Sequence, residues 1–235
     1  MNLEKISGGA LYIVSTPIGN LSDFSYRAVY ILQNVDLIAS EDTRTSGVLL
    51  SHYKITTPQT SYHEHNEKSK APELIQSLLS GKTIALITDA GTPLISDPGY
   101  RLVNLAISNK LEVFPIPGAS SILAALVVSG LPTDRFVFEG YLPRSSGRLK
   151  TFLSGLANEI RTLVLLETPH RIMKSLPVML ETLGDRNIVI ARELTKKYEQ
   201  KIRGPISEII ANLANKPIKG ELVIIIPGHK AEMNA

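Results

Sequence analysis

The 235-residue sequence predicts an α/β protein made of two α/β domains. Short, β-rich apolar runs alternate with helical patterns almost from the start, which is α/β grammar. The segments that follow those runs are dense in Gly, Pro and hydroxyl residues. After Pro117 the pattern resets, because a helix apolar on most sides leads into a new set of strands. The boundary is therefore expected there, giving domains 1–117 and 118–235.

In the first domain "LYIVSTP" reads as a strand, followed by a helix over "SYRAVYILQNV" with Ala28, Ile31, Leu32 and Val35 on one face. The strands "VDLIASED" and "ITTPQTSY" follow. The helix "PELIQSLLSG" should have Pro72 in its first turn and Gly81 beyond its end. A strand "TIALITDAG", a helix over 99–109 and a fifth strand "LEVFPIPG" complete the set.

The second domain opens with the helix "ASSILAALVVSG". Its strands read "FVFEGYLP", "TLVLLETP", "NIVIAREL", "YEQKIRGPI" and "GELVIIIPG", with helices at about 146–157, 170–183 and 206–214. Pro177 is expected to kink the middle helix. The last strand is apolar enough to be buried on both faces, so its sheet should be central and helix-covered.

Composition narrows the chemistry. With 43% apolar residues the chain can bury real cores. It has no cysteine, which excludes disulfides, thiolate metal sites and cysteine nucleophiles. "MNLEKISGGA" contains no apolar signal region and no stretch reaches the length of a membrane span, so a cytoplasmic protein is expected. Residues 1–117 carry nine Lys or Arg against eleven Asp or Glu, whereas 118–235 carry sixteen against eleven. The basic second half favours a polyanionic partner such as RNA, although an ordinary solvated surface reaches the same charge.

Ligands of open α/β sheets collect beyond the carboxyl ends of the strands. Here those positions hold "STPIGN", "SEDTRTS", "TDAGTPLISDPG" and "PIPGASS", then "YLPR", "ETPHR", "ARELTKK" and "KGE". The twelve residues 88–99 are too long and too turn-rich for a plain connection, and mark a candidate ligand loop. "STPIGN" lacks the GxGxxG spacing of a dinucleotide site, and GxxxxGK[ST] and GxSxG are also missing. His63 and His65 have no third ligand at a persuasive spacing, so no metal is expected. Ser120 and Ser121 open a helix, where serines either cap backbone N–H groups or meet a ligand.

"LYIVSTPIGNLSD", "SEDTRTS", "TDAGTPLISDPG", "PGASS", "ETPHR", "ARELTKKYE" and "KGE", in this order, closely resemble the ribosomal small subunit methyltransferase I family of the tetrapyrrole methylase superfamily. The resemblance runs from Leu11 to Pro227. It implies two α/β domains of tetrapyrrole methylase type with the cofactor cleft between them, usually in a homodimer. It implies S-adenosylmethionine as cofactor and the ribose 2′-oxygen of a cytidine in small-subunit (16S) ribosomal RNA as methyl acceptor. By the family pattern the cofactor contacts fall on Pro17, on Ala90, Gly91, Thr92, Pro93 and Ile95, and on Ser120 and Ser121. The second domain adds Thr168, Leu194, Gly220 and Glu221. Porphyrin and corrin methylases carry a GDP triplet where this chain reads Gly91, Thr92, Pro93, which disfavours a tetrapyrrole substrate.

A ribose hydroxyl must lose its proton during or before attack. Candidates for that base, or for positioning the hydroxyl, are Asp42, Glu167 and Lys196, each just beyond a strand. A lysine base would need a depressed pKa, which Arg44, Arg171 and Arg192 nearby would favour. Arg144, Arg148 and Lys150, with Lys196, Lys197, Lys201 and Arg203, are the candidate RNA contacts, joined by Arg44, Arg171 and Arg192. Two other readings stay open: a small-molecule C- or N-methylase of the tetrapyrrole type, and a non-catalytic RNA-binding assembly factor.

Overall fold

A computed structural model describes residues 6–214 and 218–229, and the chain divides into two compact units, Met1–Ser120 and Ser121–Ala235. The first unit holds a five-stranded, wholly parallel sheet in the order β3-β2-β4-β1-β5. Its strands are β1 (Leu11–Val14), β2 (Leu37–Ser40), β3 (Gln59–Ser61), β4 (Ile84–Ile87) and β5 (Val113–Ile116). Helices α1 (Tyr26–Asn34), α2 (Thr43–His52), α3 (Glu67–Leu79) and α4 (Tyr100–Ser108) cover it.

Side-chain alternation assigns the faces. Tyr12, Val14, Ile38, Ala85 and Ile87 join the core that holds Ala28, Ile31 and Leu32 of α1 with Leu49 and Leu50 of α2. Leu11, Ala39, Ile84 and Leu86 face the opposite core, with Leu74, Ile75 and Leu78 of α3 and Leu102 and Ala106 of α4. All four residues of β4 are buried, as a central parallel strand requires.

Two elements of the first unit differ from the sequence expectation. Pro72 lies inside α3 rather than in its first turn, because the helix starts earlier, after Asn66. Asn66 Oδ1 accepts the His63 N–H at 2.9 Å and thereby fixes the chain as it enters that helix. Helix α2 was not anticipated at all: "TRTSGVLLSH" is rich in Thr, Ser and Gly, which read as loop. It forms because Asp42 caps it, accepting the Arg44 N–H at 2.8 Å, and because Leu49 and Leu50 supply a buried stripe.

The second unit is a mixed sheet in the order β6-β7-β10-β8-β9. Its strands are β6 (Phe136–Tyr141), β7 (Thr162–Glu167), β8 (Asn187–Arg192), β9 (Gln200–Pro205) and β10 (Leu222–Ile226). The β6–β7 pair is parallel and the other three pairs are antiparallel. Helices α6 (Ser146–Gly155), α7 (Ile172–Leu183) and α8 (Ile206–Ala214) share one core with Leu163, Leu165, Ile188, Ile190, Leu222, Ile224 and Ile226. Helix α7 runs on through Pro177. Helix α5 is shorter than its apolar sequence implies, Ser121–Val127, because Ser129 turns back to the Leu126 carbonyl and Gly130 takes φ +78°. It packs against β10, whose five residues are all buried at the sheet centre, as expected. No helix among the described residues is long and apolar enough to cross a membrane.

Ile224, fully buried in β10, is paired on both sides, with Leu165 of β7 and Ile190 of β8. Ile224→Ala should cost about 2–5 kcal/mol of stability, read by chemical denaturation, because the paired strands cannot collapse onto the cavity.

Candidate functional site

Because every strand of the first sheet points the same way, the segments after β1, β2, β4 and β5 gather at one edge. Backbone hydrogen bonds tie the first of these to the third. Thr16 N donates to Gly91 O at 2.8 Å, and Gly91 N donates back to Thr16 O at 3.1 Å. The buried Thr16 hydroxyl adds a bond to the Thr88 carbonyl at 3.0 Å. The Ser15 and Thr92 hydroxyls lie 2.9 Å apart, and Thr92 Oγ1 donates to Ala119 O at 3.3 Å, which brings in the segment after β5. Gly118 must be glycine there, since a Cβ would stand 2.9 Å from Ser15 Cβ.

Residues 88–99 are therefore a fixed loop. Gly91 (φ +84°), Leu94 (+73°), Ser96 (+64°) and Gly99 (+139°) all take left-handed backbone, which bends the chain repeatedly. A Cβ on Gly99 would meet Leu94 Cδ1 at 2.7 Å, so close packing of Leu94 requires the glycine. Pro93 is buried at this edge and Ile95 is exposed.

Beside the loop, toward β2, lies a cavity of about 600 Å³ lined by Pro17, Gly19, Leu21, Asp42, Arg44, Thr45, Val48, Leu49 and Asp89. It brings together three residues the sequence singled out, Pro17, Asp42 and Arg44. Asp42 accepts Arg44 Nε at 3.1 Å and Nη2 at 2.7 Å, and these bonds with the Arg44 backbone N–H hold its carboxyl down at about 2. Asp89, which sequence reasoning passed over, accepts the Asp42 N–H at 3.2 Å. Partial burial pushes Asp89 up and the charges of Glu41 and Asp42 add to this, against the pull of the Asp42 N–H. Glu41 itself takes the Thr88 hydroxyl at 2.6 Å. The signal for Asp89 was its place directly after Thr88 at the end of β4; its neighbours come from β2, which sequence spacing does not reveal.

In the second unit the antiparallel direction of β10 brings its start level with the ends of β7 and β8. Leu222 pairs with both Glu167 and Arg192. Thr168, Leu194, Gly220 and Glu221 consequently share one edge. Glu193 N donates to Glu221 O and Glu221 N donates to Glu193 Oε1, both at 3.1 Å. Lys196 Nζ donates to Glu193 Oε1 at 3.0 Å and to Glu221 Oε2 at 3.2 Å. Gly220 (φ +87°) gives this knot room, because a Cβ would lie 2.3 Å from Glu193 Cδ.

The candidate acid–base groups here are engaged. Burial opposes the Lys196 charge, yet the bonds to Glu193 and Glu221 outweigh it and lift its pKa, the direction opposite to a lysine base. Glu167 has a fully buried side chain, accepts the Thr168 N–H at 2.7 Å and the Ser175 hydroxyl at 2.5 Å, and lies 3.3 Å from Arg171. Arg171 also donates to the Leu142 and Pro143 carbonyls at 2.6 and 3.0 Å, and Arg192 donates to Gln200 Oε1 at 3.1 Å. Leu194 is buried.

Among the cations, Arg144 and Arg148 are exposed around the start of α6, whereas Lys150 pairs with Glu181 and Lys201 with Glu199. Lys197 is exposed beside Tyr198, 5.6 Å from its ring centroid, and Arg203 donates to the Val128 carbonyl. Ser120 ends the first unit and Ser121 begins the second.

Residues 10–210 match the family described as Tetrapyrrole (Corrin/Porphyrin) Methylases, and the chain belongs to it. Solved structures share the fold at low identity. A cobalt precorrin-4 methyltransferase of cobalamin biosynthesis aligns with TM-score 0.67 and 16% identity over 93% of this chain and 95% of its own. A uroporphyrin-III C-methyltransferase from Thermus thermophilus aligns with TM-score 0.63 and 18% identity over 92% and 94%. Much nearer in sequence are proteins named ribosomal RNA small subunit methyltransferase I. That of Synechocystis sp. is 50% identical over 95% of this chain and 81% of its own, and that of Vibrio cholerae 48% identical over 97% and 81%. Within the tetrapyrrole methylases, the chain thus belongs to the ribosomal RNA small subunit methyltransferase I family.

The raised pKa of Asp89 means that the folded protein retains a proton which the unfolded chain has already released, so its ionisation costs stability as pH rises above the ordinary 3.8. Asp89→Asn keeps an acceptor for the Asp42 N–H and removes that cost. The variant should melt at a higher temperature than the parent at pH 7, with the gain vanishing below pH 3.8.

Proposed function

We propose that this chain is an S-adenosylmethionine-dependent methyltransferase acting on small-subunit ribosomal RNA, and that its acceptor is the ribose 2′-oxygen of a cytidine. The observation that carries the reading is the pinned loop at Gly91 beside a cavity that contains Asp42 and Arg44. The residues present fit the donor: among the described residues, the nearest atom to a Cβ placed on Gly91 is Ile18 Cγ2 at 3.6 Å. The loop backbone is thus fixed before any ligand arrives, as a pre-organised cradle should be. Pro17, Ala90, Gly91, Thr92, Pro93, Ile95, Ser120 and Ser121 would hold the donor, with Thr168, Leu194, Gly220 and Glu221 as the second unit's contribution.

The bound donor supplies an electrophilic methyl group on a sulfonium. This chain's part is to align the acceptor oxygen with it at near-attack distance. Asp42, ionised at neutral pH and located in the cavity wall, accepts the hydrogen bond of the ribose hydroxyl and orients it. Lys196 stays charged and holds Glu193 and Glu221 in place, and Glu167 anchors Thr168 and Arg171. Arg144, Arg148 and Lys197 bind phosphates, with Arg44 at the cavity and Lys150, Arg171 and Arg192 as further candidates. A tetrapyrrole is the weaker alternative, because its carboxylate side chains would meet Asp42 and Asp89 in the same cavity. The reading includes a cytoplasmic homodimer acting on RNA within the ribosomal subunit.

Mass spectrometry of ribosomal RNA from cells with and without this chain tests the reading: one cytidine ribose methyl should disappear with it, and an unchanged methylation map sinks it. Thr92→Val removes the hydroxyl that joins Ser15 and Ala119, and should weaken donor binding by roughly five- to tenfold in calorimetry. Arg144→Glu with Arg148→Glu should lower RNA affinity by about tenfold or more at low salt and flatten its salt dependence, leaving donor affinity unchanged.

A further inference from the structure

The cavity beside the donor loop combines three kinds of surface. Apolar walls come from Pro17, Leu49, Leu21 and Val48, the last two being 36% and 68% exposed and so available to a flat ligand. A guanidinium stands at the rim, since the Arg44 side chain is 89% exposed while still anchored to Asp42. Asp89 supplies a carboxylate. Its Oδ1 takes the Asp42 N–H, and Oδ2 has no hydrogen-bond partner among the described residues. Apolar faces, one cation and one free acceptor are what an unstacked nucleotide needs for its ring, its phosphate and one edge of its base.

We infer that Asp89 is the specificity-determining residue for the acceptor base, accepting a hydrogen bond from the exocyclic amine of an aminopyrimidine held in this cavity. The inference rests on the RNA-methyltransferase reading above and extends it to the base. Cytosine offers an N4–H₂ donor where uracil offers the O4 acceptor. A carboxylate therefore pairs with the first and repels the second. The upward shift of Asp89 agrees with a group left without a cation so that a ligand can satisfy it. Asp42 has a different task, since Arg44 takes one position on each of its oxygens and the ribose hydroxyl takes what remains.

The test compares methyl transfer to two small-subunit RNA substrates, identical except for cytidine or uridine at the mapped position, with the parent protein and with Asp89→Asn. With Oδ1 held by the Asp42 N–H, the asparagine presents its NH2 to the base, which suits the O4 acceptor of uracil and not the amine of cytosine. The parent should prefer cytidine by about a hundredfold or more, and Asp89→Asn should bring the two within about tenfold, chiefly by losing rate on cytidine. Donor affinity by calorimetry should not change, and Asp89→Ala should also lose the preference without gaining on uridine. Equal transfer to both bases by the parent overturns this inference while leaving the methyltransferase reading intact; no transfer to either overturns that reading. A cytidine preference that survives in both variants, or an equal loss on both bases with donor affinity preserved, overturns the role of Asp89.

Discussion

Two backbone hydrogen bonds between Thr16 and Gly91 set the geometry on which the first unit's site depends. They join the segments after β1 and β4, neighbours in the sheet, just beyond the point where the ladder ends. Once that junction is closed, the Thr92 hydroxyl falls within reach of Ser15 and of the Ala119 carbonyl, and the segment after β5 is drawn in. The left-handed residues at Leu94 and Ser96 follow from the same closure. A chain held at Gly91 and at the start of α4 must bend sharply to fit between them, and strain at non-glycine positions persists only when the surroundings impose it.

The second unit solves the corresponding problem by another route. Its sheet is mixed, so strand ends do not automatically gather on one side. Reversing β10 between β7 and β8 lets the start of one strand meet the ends of two others. The absent Cβ of Gly220 then admits Glu193, and Lys196 neutralises Glu193 and Glu221 together. Left-handed backbone appears again, at Glu193 and Thr195. Both units thus present rigid backbone at the edge where family resemblance puts ligand contacts.

What the sequence made legible follows from the range of the forces involved. Apolar periodicity is local, so the ten strands and most helices could be read directly, including the central burial of β10. Helix α2 could not, since its composition favours loop and its stability comes from the Asp42 cap and from Leu49 and Leu50 meeting a core built by distant residues. Pro72 misled for a related reason: its place in α3 depends on Asn66 starting the helix earlier, and a proline by itself marks no start. Family resemblance assigned donor contacts to residues 90–95, but the partners that immobilise that loop, Thr16 and Ala119, follow other strands. The same limit hid Asp89, whose environment is made by Glu41 and Asp42 across the β2–β4 pair.

Three acids stand close together at that edge, and their surroundings give them different characters. Glu41 is satisfied by the Thr88 hydroxyl, and Asp42 is held by Arg44 and caps α2. Asp89 is left with one weak backbone donor and two like charges nearby. Asp89 is exposed, so water solvates its carboxylate while no cation of the described residues pairs with it. Its position in the cavity wall makes it the one of the three acids whose carboxylate is left to solvent or a ligand. Arg44 sharpens the contrast: spending its fork on Asp42 fixes the rim and leaves Asp89, in the same cavity wall, without a cation partner among the described residues.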